Sequence, residues 1–197
     1  MGTVLPTSEG TRHPSLKLRN VGDHADVFVV DISKVPRLDY TTRQQKVDQR
    51  GNPQTQDKVT VIVAGGKAVI SENEVDRPAE RDEVAVIYFA GRDRWDPDLD
   101  KTRTGDVGRS FSTACELLEG GLQVGDVMRW TFEDEVPGKG SQPRKIRTVR
   151  LRHPRPEEMA TAQRCEDLRL ELQQESRTQL VDPSGADYTV GYSEDPF

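Results

Sequence analysis

The residues of this 197-residue chain that could do chemistry are charged and aromatic, and their spacing favours binding over catalysis. Residues 139 to 155 hold Lys139, Arg144, Lys145, Arg147, Arg150, Arg152 and Arg155 with no acid among them, a local charge of +7 over 17 positions. A basic strand beside a glycine-rich loop can track phosphates, and its binding weakens as salt rises because each neutralised phosphate releases a counterion. Single-strand binding also needs flat side chains on which bases stack, worth about 1–3 kcal/mol per base. Tyr40, Tyr88 and Trp95 have the right chemistry, with Arg43, Arg92 and Arg94 beside them. For Tyr88 a core position is the competing reading, and for the basic strand a plain solvated face.

Enzyme motifs are broken. Ala64-Gly65-Gly66-Lys67 lacks the earlier glycine and the following Ser or Thr of a phosphate-binding loop, so it reads as a turn. Asp96, Asp98 and Asp100 open like a calcium loop, but Lys101 and Val107 stand where glycine and glutamate are needed. His13, His24 and His153 are dispersed, and no pair of carboxylates is singled out by spacing. The expectation is a non-catalytic protein with no cofactor and no metal. Cys115 and Cys165 can form at most one disulfide and read as structural thiols of a reducing cytosol.

The formal net charge of −6 would ordinarily argue against nucleic acid, but it is a sum over unlike segments. Residues 178 to 197 carry Asp182, Asp187, Glu194 and Asp195 and no base, opposite in sign to the 139–155 run. The chain ends Glu194-Asp195-Pro196-Phe197, where an aromatic ring and its carboxylate suit a basic-rimmed apolar pocket on a partner.

The elements that must position these residues follow from apolar periodicity. Residues 1–14 read as a flexible arm. Strands are expected at 25–32, 58–63, 83–91, 126–136 and 144–153, with a long mobile hairpin over 37–56 and polar loops over 67–82 and 92–106. Val107, Phe111, Ala114, Cys115 and Leu118 share one face of a helix over 107–118 that Gly120-Gly121 ends. Trp130 and Phe132 are expected in the core. A second helix, 157–175, has a thin apolar stripe, and 176–197 reads as a disordered acidic tail. No stretch is apolar for the roughly 20 residues that span a bilayer, so a cytoplasmic protein without membrane contact is expected.

This order of elements is that of a five-stranded Greek-key barrel, the OB-fold, over residues 15–155, with one helix between strands 3 and 4, a C-terminal helix at 156–175 and the tail beyond. An unrelated small barrel or sandwich is the alternative. The segments Pro14-Ser15-Leu16-Lys17-Leu18-Arg19-Asn20-Val21-Gly22-Asp23 and Gly121-Leu122-Gln123-Val124-Gly125-Asp126, with the acid-Pro-Phe end, resemble single-stranded DNA-binding proteins of actinobacterial phages. That resemblance implies coating of single-stranded DNA during phage replication or recombination, in the host cytoplasm and as a homo-oligomer. Tyr40, Tyr88 and Trp95 would stack, Arg43, Arg92, Arg94, Arg144, Lys145, Arg147, Arg150 and Arg152 would meet the nucleic acid, and Glu194 to Phe197 would recruit replication or recombination proteins. The alternative function is a protein–protein module on the same barrel, a phage assembly or host-takeover factor without DNA affinity.

Overall fold

The computed structural model describes residues 13–180 apart from 40–41, 43, 49–50, 73–74, 90–93, 97–100, 104–105 and 138–142, and for 94–96, 101–103, 106–109, 144 and 176–180 it describes the backbone alone. After a short β1 (Ser15–Lys17), the Val-rich segments build two long strands, β2 (His24–Pro36) and β3 (Thr55–Gly66). Then come β4 (Val69–Glu72), β5 (Val75–Pro78), β6 (Val84–Phe89), β7 (Arg94–Asp96) and β8 (Lys101–Arg103). The chain continues through α1 (Asp106–Leu117), β9 (Val127–Val136) and β10 (Arg144–Arg152). A 3-10 turn at Pro156–Glu158 leads into α2 (Met159–Leu180).

Eight strands form one mixed sheet in the order β10-β9-β2-β3-β6-β1-β4-β5, and β7 and β8 make a separate hairpin. This corrects the expected fold. The sheet is open and eight-stranded, not a closed five-stranded OB-fold barrel, and its first helix stands between the eighth and ninth strands of the chain, not the third and fourth. Among the described residues β10 does not pair with β6. The edge of β10 meets α1, whose Ser110 Oγ accepts the Val149 N–H at 2.8 Å. Phe111 of α1 stacks on Phe89 of β6 at 4.6 Å between ring centroids, and Trp130 of β9 meets Phe89 edge-on at 5.9 Å. On its other side β6 takes up β1 in parallel, the Val86 N–H donating to Pro14 O at 2.9 Å, and the sheet runs on into β4 and β5.

Of those added strands, β4 and β5 come from a segment that reads as a polar loop, and β1 from residues just after the expected arm. The 67–82 stretch is the β4–β5 hairpin, and its outer strand is exposed along its whole length. Asp76 there is forked by the Arg19 guanidinium at 2.6 and 2.8 Å, Arg77 pairs with Glu83, and Pro78 has no N–H to offer. Charges and proline are how a sheet edge is kept from adding another strand.

The core has two parts, one on each face of the sheet. The larger holds Val27, Val29, Val59, Val61, Ile87, Phe89, Met128, Trp130 and Phe132 with Phe111, which bears out the core placement of Trp130 and Phe132. The smaller lies under α2, where Cys165, fully buried, packs with Phe28, Val30, Ile62 and Val127, flanked by Leu168 and Leu172. Gly125 is required at this junction. Its φ is +86°, and an added Cβ would stand 2.7 Å from Ala162 Cβ in α2. α2 also runs further than the apolar stripe suggested, to Leu180.

Candidate interaction surface

The basic strand does not form one charged track. Lys145 and Arg147 share the face of Val149, the core side, and both lie over the Phe132 ring at 5.3 and 5.0 Å from its centroid. Arg147 is half-buried, its Nε has no partner among the described residues, and burial lowers its pKa while Glu135 opposes the shift. Lys145 lies 3.5 Å from Glu135. Arg150 and Arg152 fall on the opposite face. Arg152 forks the Glu158 carboxylate with two bonds of 2.6 Å, which holds that acid down at about 2. Arg150 is exposed and stands opposite Arg129, whose guanidinium is taken by Asp26 at 2.7 Å on both arms. The side chain of Arg144 is not described.

The aromatic half of the expected surface is not assembled either. Tyr88 is 44% exposed on β6, paired in register with Lys58 and four strands from β10 in sheet order. Trp95 and Arg94 belong to the backbone of β7 in the separate hairpin. Tyr40, Arg43, Arg92 and the terminal Glu194, Asp195, Pro196 and Phe197 lie outside the described residues. With the cations split between two faces, Lys145 and Arg152 already paired, and no barrel to carry them, the reading as a phage single-stranded DNA-binding protein acting in replication or recombination is corrected. No dedicated basic and aromatic face is evident among the described residues.

A different surface stands out at the end of β2 and β3. The described residues between them, in a segment read from sequence as a mobile hairpin, form a hydrogen-bonded tip. The Arg37 N–H donates to Gln54 O at 2.9 Å, the Gln54 N–H to Lys46 O at 2.7 Å and the Lys46 N–H to Arg37 O at 2.7 Å, a closed ring of three bonds. Asp39 and Asp48 fasten the ends, accepting the backbone N–H groups of Thr42 and Asn52 at 3.0 and 2.8 Å.

Around that ring the usual hydrophobic pattern is inverted. Arg37, Asp39, Lys46, Asp48 and Gln54 are half-buried, while Pro36, Leu38, Gln45, Val47 and Pro53 are exposed. The half-buried side chains serve one another: Arg37 Nη1 donates to Gln54 Oε1 at 3.2 Å, and Lys46 Nζ pairs with Asp39 at 3.3 Å. Leu38 is 48% exposed and Val47 57%. Below them Ile32 is also exposed, and Lys34 is tied to Asp57 at 2.6 Å. Sequence reading missed this surface because polarity and a Gly51-Asn52-Pro53 turn are equally the marks of a loose loop. The one available signal was that Leu38 and Val47 interrupt a polar run.

Among the described residues no group of three or more His, Cys, Asp and Glu could hold a metal, and no helix is long and apolar enough to cross a membrane. Cys115 and Cys165 are free thiols, and burial pushes the Cys165 thiol up to about 11, away from the reactive thiolate. No family model matches the chain, and no curated protein or solved structure matches it either.

Proposed function

We propose that this protein is a non-catalytic binding module that associates with a second copy of itself through the apolar tip joining β2 and β3. The observation that carries the reading is the inverted pattern, polar side chains turned inward and Pro36, Leu38, Val47 and Pro53 turned outward on hydrogen-bonded backbone. Exposed apolar side chains gathered on an ordered element mark contact sites. Two ion pairs, Lys46 with Asp39 and Lys34 with Asp57, hold charges of the tip and its stem within the chain. A chain of net charge −6 repels its own copies over most of its surface, and the exposed apolar side chains of the tip are where two copies can approach.

The test replaces Leu38 and Val47 together by Asp. Neither side chain belongs to the core, so the variant should unfold at the wild-type temperature while light scattering shows a smaller particle. An unchanged particle size in a folded variant would remove the proposal.

A further inference from the structure

His153, whose side chain is 44% exposed, stands where its charged form satisfies two acceptors at once. It follows β10, and its two ring nitrogens meet two acceptors: Nδ1 lies 2.8 Å from Asp126 Oδ1, and Nε2 lies 2.7 Å from the backbone oxygen of Glu119. A carbonyl oxygen never donates, and an ionised carboxylate only accepts. Both bonds therefore exist together only when both nitrogens carry hydrogen, which is the imidazolium. Neutral imidazole has one N–H and must leave one acceptor facing a lone pair.

The groups held this way form a junction of four elements. Asp126 is 1% exposed, and its other carboxylate oxygen accepts the Gln123 N–H at 2.7 Å. Its backbone oxygen accepts the Val29 N–H, and the neighbouring Gly125 N–H donates to Val29 O, each at 2.8 Å, which docks the turn on β2 beside a bulge. Gly125 in turn lies against Ala162 of α2, and Glu119 ends the segment leaving α1. Other charges near the ring are accounted for. On the strand side Arg152 is forked to Glu158, Arg155 and Glu157 are exposed in the following turn, and the Glu119 carboxylate adds to the attraction of Asp126 for the proton.

We infer that His153 is a protonation-dependent latch that fastens the turn before β9, and through it the N-terminal half of α2, to the sheet. Charged, it joins Asp126 and Glu119 and keeps α2 over Phe28, Val30, Ile62 and Val127. Neutral, it frees the Glu119 carbonyl or the buried Asp126, and the contact between Gly125 and Ala162 loosens. The bonds to Asp126 and Glu119 raise the imidazole's pKa above its ordinary 6.5. The stability they add is fully present below that ordinary value and is lost as pH rises through the raised one. The latch therefore opens on the alkaline side.

Two measurements on the full chain test this. An NMR titration of the His153 ring should place its midpoint above that of an unperturbed histidine. Hydrogen exchange of the Gln123 to Asp126 amides and of the first turns of α2 should then accelerate across the same pH interval, beyond the intrinsic base catalysis seen at β3. In His153→Gln, which cannot take up a proton, exchange at those amides should be fast at every pH and lack the step. A His153 midpoint at or below the ordinary value would overturn the inference. So would a step that persists in His153→Gln, or exchange at these amides that ignores the titration.

Discussion

Arg129 and Asp26 lie 103 residues apart and form a two-armed ion pair, and that distance explains what could be read of the charged residues. A residue's type announces whether it is cationic or fit for a core, which is why Trp130 and Phe132 were legible as interior. Whether a cation is free is decided by a partner that sequence proximity does not reveal. The +7 run looked like an open phosphate track because its acids, Glu135, Glu158 and, through Arg129, Asp26, come from other strands and turns. Arg152 and Glu158 yield a prediction at this scale. Glu158 is held down chiefly by the Arg152 guanidinium and then by the Arg155 N–H. Its contribution is present above the ordinary glutamate range and disappears as pH falls through about 2. Thermal unfolding of Glu158→Gln should lie below wild type near neutral pH, and the gap should close in strong acid; a gap of constant size would show that the carboxylate charge is not involved.

At the scale of elements, the strong periodic segments were legible and the weak ones were not. The helix face through Phe111 announces α1, a β-branched run announces β2 and alternating valines announce β3, because those patterns follow from local geometry. β4 escaped because four residues are too few to show a period, and β5 because a protected edge strand uses the residues of a loop, here Asp76, Arg77 and Pro78. The tip escaped for the same reason. Two substitutions probe how elements are joined. Phe111→Ala removes the ring stacked on Phe89 and should cost about 3–5 kcal/mol in denaturant unfolding. Gly125→Ala imposes a left-handed backbone worth about 1–3 kcal/mol on a side-chain residue and drives a methyl into Ala162. Its signature should be local: proteolysis within α2 at temperatures where the sheet is intact. Wild-type resistance of α2 in that variant would mean the helix does not depend on this contact.

For the molecule as a whole, the sequence specified strands far better than their neighbours. Five strong strands and one strong helix fit a closed barrel. Among the described residues β6 and β10 do not pair with each other, α1 is set against the β10 edge and the sheet continues through β1, β4 and β5. Choices of that kind rest on packing between distant residues, as in the stack of Phe89 on Phe111, and no periodicity encodes them. Leu38 and Val47 of the tip are among the large apolar side chains left exposed, with Val75, Leu117, Met159 and Leu170 elsewhere on the molecule, and self-association through the tip is the central claim. Sedimentation of the full chain over a dilution series in the micromolar range tests that claim most directly. The account predicts an average mass above that of one chain that falls reversibly toward it on dilution and changes little with salt, since the contact is apolar. A single-chain mass at every concentration would contradict it.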